Sequence, residues 1–449
     1  MIKLPRVIFS LVLSSKKYLF IIIIHQPLYL SIKEDCIILL VFSIFYGLFL
    51  KTHIFLFLRI TLKKRIKELK MKKLLAVILT AVMMLCVLPI KFNGAELYGE
   101  AKSVILIEAS TGEVLYEHNA DKRLPPASVT KIMTILLVVE ELDKGTLSLT
   151  DTIQVSERAS KMGGSQVYLK AGEIMSVEDL LKSVIVASAN DASTALAEHI
   201  AGSVEEFVRK MNERASQLGM VNTVFENPTG LDDSVKDHLT TARDIALMSA
   251  ELLKHPMIFN YTTIWMDTIR NGEFGLTNTN RLIRFYKGAT GLKTGSTSKA
   301  GFCISATAER DGMHLIAVVM GSPTRDSRNE TAKALLDYGF SAYRYYKYEQ
   351  GEIGSIDVLY GVKGTLPLIG EGFGKVLPKD VFASGVSAEA VLPKSVKAPI
   401  KAGDKIGEMV FSAGGTVIGK VPIRAAETVS RISFSEVLSR LVKSFFSAF

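Results

Sequence analysis

Ser128-Val129-Thr130-Lys131 stands at the start of a run, residues 129–142, that is apolar on nearly every side. Such a run predicts a helix buried in the middle of a domain. Residues three apart share one face of a helix, so the Ser128 hydroxyl and the Lys131 amine are expected within hydrogen-bonding distance. Burial shifts an amine toward its neutral form, and a neutral lysine can act as a base for a serine nucleophile. A helix-capping serine beside an unrelated lysine would give the same four letters.

Two further motifs follow downstream and decide between these interpretations. Ser188-Ala189-Asn190 comes after a predicted helix at residues 177–186, and Lys293-Thr294-Gly295 precedes a predicted strand at residues 301–308. Taken singly, Asn190 would be a turn residue and Lys293 a solvated charge. In this order, however, S-x-x-K, S-x-N and K-T-G form the signature of penicillin-recognising serine enzymes. The three motifs together indicate one active site.

Strand and helix patterns around the motifs predict an α/β fold. Hairpin turns are indicated at Thr111-Gly112 and Asp311-Gly312, and capping serines at Ser176 and Ser203. The predicted elements are strands at residues 104–107, 114–116, 301–308 and 315–321, helices between residues 176 and 254, and a last helix at about residues 326–338. Strands at both ends with helices between them imply a mostly antiparallel sheet, in one catalytic domain of residues 96–345.

The residue pattern changes in the chain beyond this domain. Residues 352–430 consist of short Val, Ile and Leu segments interrupted by Gly and Pro, which is typical of a small all-β domain. Residues 432–449 carry apolar side chains at three- and four-residue spacing, with Arg440 and Lys443 on the other side. This pattern predicts an amphipathic helix that lies on a membrane surface, although a core-packing helix has a similar pattern. The apolar stripe consists of Phe434, Val437, Leu438, Leu441, Val442, Phe445, Phe446 and Phe449.

The basic charge of the chain is confined to its beginning. Residues 1–70 contain twelve Lys or Arg and three acidic residues, so this segment alone accounts for the formal net charge of +9. The positive charge therefore belongs to no folded domain, and nucleic acid is excluded as a partner. Cys36 and Cys86 also lie upstream of a signal-peptide cleavage site that we predict near residue 95, which leaves Cys303 alone in the mature chain and predicts no disulfide.

A second start at Met71 has the pattern of a signal peptide. Lys72 and Lys73 are followed by an apolar run at residues 74–88 and by small residues near Gly94 and Ala95. We therefore interpret residues 71–95 as a signal peptide and residues 1–70 as a mis-assigned extension. The alternative is a two-span anchor, but the apolar runs at residues 18–30 and 37–50 are shorter than a spanning helix requires.

Residues 98–430 resemble the low-molecular-weight penicillin-binding proteins, and specifically the serine D-Ala-D-Ala carboxypeptidases of peptidase family S11. The resemblance extends beyond the three motifs, although Thr290 stands where many relatives carry an acidic residue, which leaves the stem-peptide preference open. Further matching segments are Pro126 to Thr134, Asn227-Pro228-Thr229-Gly230-Leu231, His238 with Thr240-Thr241-Ala242, Gly291 to Thr297, Ala300-Gly301-Phe302, and Pro399-Ile400 with Gly403 and Gly407.

This resemblance implies a penicillin-binding, transpeptidase-like fold and a role for each catalytic residue. Ser128 would attack the carbonyl between two terminal D-alanines while Lys131 takes its proton, and an acyl-enzyme would form. Ser188 would relay a proton to the leaving amine. His238 is expected to be a structural hydrogen-bonding residue rather than a base.

The resemblance also implies the substrate-binding residues and the partners. Lys293 and Thr294 would bind the terminal carboxylate with help from Arg328, and Asn190 would hold the substrate's amide backbone. Backbone amides of Ser128 and Ser296 would form the oxyanion hole, and Gly295 would keep the strand accessible. The implied partners are peptidoglycan stem peptides, β-lactam antibiotics and, through the C-terminal helix, the outer face of the cell membrane. The histidines are scattered, so no metal or cofactor is expected.

Two other classes of protein are compatible with the same motifs. A class A β-lactamase needs a further glutamate that activates water, and Glu226 is the one candidate. The residues around Glu226 fit the carboxypeptidase pattern better, and a β-lactamase has no need of a β domain or an anchor. A catalytically idle scaffold that retains the fold is the second alternative, but Ser128, Lys131, Ser188 and Lys293 are all intact.

Overall fold

The computed structural model describes residues 13–15, 18–20, 97–232 and 235–447. The chain divides into two units, residues 1–92 and 93–449. In the first unit, strand β1 (Leu13–Ser15) pairs antiparallel with β2 (Tyr18–Phe20). Most of the predicted extension and signal peptide lies outside the described residues, so both stay predictions. Within the part of the chain that is described, no helix is long and apolar enough to span a membrane.

The second unit contains the following elements. Its strands are β3 (Ser103–Glu108), β4 (Val114–His118), β5 (Thr152–Gln154), β6 (Ile174–Ser176), β7 (Met266–Ile269), β8 (Phe274–Thr277), β9 (Ala289–Thr297), β10 (Gly301–Arg310), β11 (Met313–Ser322), β12 (Tyr343–Tyr348), β13 (Gly351–Leu359), β14 (Thr365–Gly370), β15 (Phe373–Pro378), β16 (Val386–Val391), β17 (Ser395–Lys397), β18 (Lys405–Ala413) and β19 (Thr416–Ala425). Its α-helices are α1 (Lys131–Asp143), α2 (Glu157–Ser160), α3 (Val177–Val186), α4 (Asn190–Ala201), α5 (Val204–Gln217), α6 (Ala242–Leu252), α7 (Phe259–Thr262), α8 (Leu282–Phe285), α9 (Arg325–Ala342), α10 (Lys379–Ala383) and α11 (Phe434–Phe446). Short 3-10 helices are Ala127–Thr130, Pro256–Ile258 and Arg270–Gly272.

A five-stranded antiparallel sheet forms the centre of the catalytic part, in the order β4-β3-β11-β10-β9. Strand β3 is apolar at almost every position because both faces of the sheet are covered. Ile105 and Ile107 pack in the core that contains α1, whereas Val104 and Leu106 pack in the core that contains α9. The predicted α/β fold with an antiparallel sheet is confirmed, and β9 lies at one edge of it.

The nucleophile segment differs from the prediction in its first turn. The expected α-helix from residue 129 is a 3-10 turn at Ala127–Thr130, and α1 begins only at Lys131. The backbone of Ala127 has a φ of 50°, so the chain enters the helix through a tight turn rather than a regular α-helical one. The helix itself is buried from Lys131 to Val139, as the apolar run predicts.

Local capping follows the sequence closely. Ser176 Oγ accepts a hydrogen bond from the backbone N–H of Asp179 and begins α3, and Ser203 Oγ accepts from Glu206 N–H and begins α5. Both pairs are the capping residues that the sequence indicates. Ser188 lies in the short connection between the end of α3 at Val186 and the start of α4 at Asn190.

The C-terminal β domain is built on a six-stranded sheet in the order β16-β18-β19-β14-β13-β17. Phe411 lies at its centre, fully buried and stacked on Phe373 with ring centroids 4.3 Å apart. Strands β12 and β15 pair with each other, and Val376 of β15 packs into the core beside α9. Lys375 also forms an ion pair with Glu113 at 3.1 Å. The small all-β domain expected after the catalytic domain is therefore present and packs against it.

Helix α11 ends the described chain, and none of its side chains is buried. Ser433 and Glu436 form a capping box at its start. Phe434 is 84% exposed and Phe446 is 75% exposed, so these members of the apolar stripe do not pack into the β domain.

Replacement of Phe411 by alanine should destabilise the β domain by about 3 to 5 kcal/mol, because a buried ring is lost and a cavity remains. Hydrogen exchange in β18 should accelerate accordingly. Trp265, the sole tryptophan, lies in the catalytic domain, so its fluorescence during urea unfolding reports that domain separately. The exposed Val417→Ala in β19 is the control. An equal shift of the Trp265 transition in Phe411→Ala would contradict independent unfolding of the two domains.

Candidate active site

The Lys131 amine is the centre of the candidate site. Its Nζ lies 3.0 Å from Ser128 Oγ, 2.6 Å from Asn190 Oδ1 and 2.7 Å from the carbonyl oxygen of Thr229. The Lys131 side chain is fully buried, whereas Ser128 is partly exposed. The structure therefore brings together the serine and lysine of the first motif, the asparagine of the second, and one carbonyl group.

Burial is the main cause that lowers the pKa of Lys131 well below its usual range, and the positive charge of Lys293 lowers it further, while Asp191 opposes the shift. A neutral amine has two N–H groups and one lone pair. The oxygens of Asn190 and Thr229 can accept the two N–H groups, which leaves the lone pair for the Ser128 hydroxyl. This geometry suits proton abstraction from the serine.

The second and third motifs face each other across the site. Lys293 Nζ donates to Ser188 Oγ at 2.7 Å and to the carbonyl oxygen of Thr294 at 3.0 Å. Burial, followed by repulsion from Arg328, lowers the pKa of Lys293 to about 7. Ser188 has a φ of 63°, a conformation that a serine adopts only when its surroundings hold it. The sharp connection between α3 and α4 thus turns its hydroxyl toward β9.

Two glycines let the walls of the site approach the nucleophile. A Cβ on Gly295 would lie 2.7 Å from the backbone nitrogen of Ser128, so only glycine lets β9 run this close. A Cβ on Gly230, whose φ is 81°, would lie 1.8 Å from the carbonyl oxygen of Ala127. The 3-10 turn that carries Ser128 is therefore held between β9 and the turn of residues 227–231.

Of the predicted substrate-binding residues, those on β9 line the site directly. Ser296 is exposed, and Thr294 Oγ1 donates to the exposed Thr279 Oγ1 at 2.9 Å. Arg328 on α9 differs from these residues because it is only 3% exposed. It donates to Asn329 Oδ1 at 2.9 Å and to the carbonyl oxygen of Cys303 at 3.4 Å. Burial lowers the pKa of Arg328 to about 10. Its positive charge acts on Lys293 through space, since its hydrogen bonds go to Asn329 and Cys303.

Several groups at the site were not identified from the sequence. The Thr229 carbonyl lies in a segment noted only for its family resemblance, and Thr279 belongs to no motif that the sequence analysis used. Asn190 is fixed by a loop, because its Nδ2 donates to the Gly163 carbonyl and its backbone N–H to the Ser165 carbonyl, both at 2.7 Å. Backbone carbonyls leave no mark in a residue pattern, so only the Gly163-Gly164 pair could have drawn attention to this loop.

Two titratable residues near the site, His238 and Cys303, have structural rather than catalytic surroundings. His238 Nε2 lies 2.8 Å from Thr130 Oγ1, and its Nδ1 accepts from the backbone N–H of Glu226 at 3.0 Å. Burial lowers the pKa of His238 to about 4, so the ring is neutral, as expected for a structural residue. Cys303 is buried in β10, and burial raises the pKa of its thiol to about 11.

Comparisons with known proteins identify the family. The D-alanyl-D-alanine carboxypeptidase family matches residues 92–324, and the C-terminal domain of penicillin-binding protein 5 matches residues 346–431. The chain belongs to the D-alanyl-D-alanine carboxypeptidase family. It is therefore a serine peptidase with a penicillin-binding fold, as the three motifs predict, and the matches favour this class over a class A β-lactamase.

Similar proteins extend over most of the chain. D-alanyl-D-alanine carboxypeptidase DacF of Bacillus subtilis (strain 168) is 41% identical, over 82% of this chain and 98% of its own length. DacC of Escherichia coli (strain K12) is 33% identical, over 75% of this chain and 86% of its own. The crystal structure of penicillin binding protein 5 from Haemophilus influenzae covers 74% of this chain and 98% of its own, with 33% identity and a TM-score of 0.65.

Replacing Lys293 by methionine should move the acid limb of Ser128 acylation by a fluorescent penicillin to higher pH. Acylation requires neutral Lys131, so its rate rises as pH passes the pKa of Lys131. Loss of the Lys293 charge removes a repulsion that lowers this pKa, and the effect is greatest below about pH 7, where Lys293 is charged. Lys293→Arg keeps the charge and should keep the limb in place, as should the exposed Lys287→Met. An unmoved limb in Lys293→Met would contradict this coupling.

Proposed function

We propose that the protein removes the terminal D-alanine from peptidoglycan stem pentapeptides through an acyl-enzyme on Ser128, and that β-lactams acylate the same serine. The observation that carries the proposal is the buried Lys131 amine, whose pKa is lowered and which lies 3.0 Å from Ser128 Oγ. The names of the similar proteins support the substrate. Penicillin-binding protein D2 of Listeria monocytogenes, solved in ampicillin-bound and cefotaxime-bound forms, is 34% identical and supports the inhibitor class.

Acylation begins when Ser128 Oγ attacks the carbonyl carbon between the two D-alanines and gives its proton to Lys131 Nζ. The backbone amides of Ser128 and Ser296 donate hydrogen bonds to the carbonyl oxygen as negative charge develops on it. Each donor stabilises the transition state by about 3 to 4 kcal/mol. The C–N bond then breaks, and the proton passes from Lys131 through Ser188 to the leaving amine. D-Alanine departs and an ester remains on Ser128.

Hydrolysis of this ester completes the cycle. Water gives a proton to Lys131 as its oxygen attacks the ester carbonyl, and the proton returns to Ser128 Oγ when the shortened peptide leaves. The free enzyme is regenerated without any other reactant. Fast turnover of a β-lactam ester would instead favour the β-lactamase alternative.

The terminal carboxylate of the substrate is bound where positive charge is concentrated. Lys293 and Thr294 contact it, and Arg328 adds positive charge from α9, where it donates to the Cys303 carbonyl of β10. An anion at this place raises the pKa of Lys293 and so restores its charge. Asn190 holds Lys131 with Oδ1, and its Nδ2 donates to the Gly163 carbonyl. The contact of Asn190 with the substrate's amide backbone therefore requires Nδ2 to exchange that partner.

The full chain should release D-alanine from a pentapeptide that ends in D-Ala-D-Ala, and Ser128→Ala should lower the rate by at least about a thousandfold because the nucleophile is lost. Enzymatic quantification of free D-alanine is the measurement. Ser387→Ala, an exposed serine of the β domain, is the control and should match the unaltered chain. Equal release by the Ser128→Ala variant and the unaltered chain would refute the proposed mechanism.

The enzyme is proposed to act outside the cytoplasmic membrane and to be attached to its outer face. The signal-peptide pattern of residues 71–95 supports export. The exposed apolar stripe of α11 supports attachment, because burial of Phe434, Leu441 and Phe446 in a bilayer interface would remove apolar surface from water. Lys443 would face anionic headgroups, whereas Arg440 donates a hydrogen bond to the carbonyl oxygen of Val362 in the β domain.

Deletion of residues 432–449 should release the protein from membranes without loss of carboxypeptidase activity, because the proposed catalytic residues all lie between residues 128 and 328. Phe445→Ser combined with Phe446→Ser should weaken attachment in the same direction, whereas Ser435→Ala on the same helix should not. Sedimentation with membranes, followed by immunoblotting, measures the distribution. Retention after the deletion would implicate an uncleaved N-terminal segment instead.

A further inference from the structure

Asp232 is a buried carboxylate that the proposed mechanism does not use. It directly follows the turn of residues 227–231, whose Thr229 carbonyl contacts Lys131, and it is only 5% exposed. Thr297 Oγ1 donates to Asp232 Oδ2 at 2.5 Å, and Lys299 Nζ donates to the carbonyl oxygen of Asp232 at 2.5 Å. Asp232 therefore ties the turn to the end of β9.

The same turn is also fastened to the helices of the site. Asn227 Oδ1 accepts from the backbone N–H of Thr229 at 3.1 Å and of Gly230 at 2.7 Å, which fixes the shape of the turn. The carbonyl oxygen of Pro228 accepts from Thr134 Oγ1 of α1 at 2.7 Å and from Ser193 Oγ of α4 at 2.9 Å. With Asp232, the turn thus joins α1, α4 and β9, the elements that carry Lys131, Asn190 and Lys293 respectively.

On the side of β9, the tie acts next to the proposed oxyanion hole. Thr297 follows Ser296, whose backbone amide is one of the two proposed donors. Thr297 Oγ1 also accepts from the backbone N–H of Ala300 at 3.0 Å, so the hydroxyl is fixed between Asp232 and the turn to β10. One hydrogen bond therefore links the position of the Thr229 carbonyl to that of the Ser296 amide.

We propose that Asp232 is a positioning residue that, by binding Thr297, holds the Thr229 carbonyl against the Lys131 amine and keeps the amine lone pair directed at Ser128. The inference rests on the proposed function and deepens it. Two acceptors define the orientation of a neutral amine, and with one of them displaced the lone pair turns away from the serine. The chemical step then slows while initial binding of the substrate is retained.

The test compares full-length Asp232→Ala and Thr297→Val with the unaltered chain in acylation by a fluorescent penicillin. Each variant should lower the first-order acylation rate constant about ten- to a hundredfold, the range expected for misplaced catalytic groups, with little change in non-covalent binding. The acid limb should move to lower pH in both, since the Lys131 ammonium loses an acceptor that stabilises its charged form. Thr297→Val keeps the Asp232 charge, so a shift there reports position rather than charge.

Conservative variants and a matched control separate this role from a loss of folding. Asp232→Asn and Thr297→Ser keep the acceptor and the donor and should stay within a few fold of the unaltered rate. Asp237→Ala, an exposed carboxylate a few residues away, should behave as the unaltered chain. The Asp232→Ala/Thr297→Val double variant should be no slower than the slower single variant, because both remove the same hydrogen bond.

The proposal is overturned if both single variants keep the unaltered rate and acid limb, if their losses add in the double variant, or if the loss merely follows the unfolded fraction in thermal denaturation. Failure of the proposed function has a different signature. In that case the unaltered chain itself would release no D-alanine and form no adduct at Ser128, whatever residue stands at position 232.

Discussion

A buried amine that must be neutral to work governs the architecture of this protein. Lys131 lies in the helical core, and a charged ammonium there would be costly, so burial shifts the pKa instead. The oxygens of Asn190 and Thr229 compensate the amine for lost water, and they also orient it. The start of α4, which supplies the Asn190 oxygen, and the turn of residues 227–231, which supplies the Thr229 oxygen, therefore converge on the first turn of α1.

The rest of the site is electropositive and therefore favours binding of an anion. Burial lowers the pKa of both lysines, Arg328 lowers that of Lys293 further, and Lys293 lowers that of Lys131 further, so three basic side chains lie in a series from α9 to the nucleophile. The terminal carboxylate of a bound peptide relieves this repulsion at Lys293. The peptide carbonyl next to that carboxylate is the group that the Ser128 hydroxyl attacks. The same electrostatic arrangement that tunes the base therefore also selects the kind of substrate.

Backbone strain occurs at two residues that surround the reaction. Ala127 precedes the nucleophile and Ser188 lies in the proposed proton path, and both have positive φ angles. Close packing of Gly230 against Ala127 and the hydrogen bond from Lys293 to Ser188 hold these conformations in place. Among the described residues, no side chain of the β domain or α11 is in the set of contacts that forms this site. The β domain has its own core and α11 has an exposed apolar stripe, so both fit a role in positioning the catalytic domain rather than in the reaction.

The sequence by itself determined the chemistry and the class of fold. The spacing of Ser128 and Lys131, the two later motifs and the apolar periodicity depend on neighbouring residues, which a pattern records directly. The tertiary structure alone decided which groups meet the amine, that the first turn of its helix is a 3-10 turn, and that Asp232 contacts Thr297. These partners lie far apart in the chain, 98 residues for Lys131 and Thr229 and 65 for Asp232 and Thr297. Packing, rather than local preference, brings such segments together, and a carbonyl oxygen is the same in every residue, so its role depends on position alone.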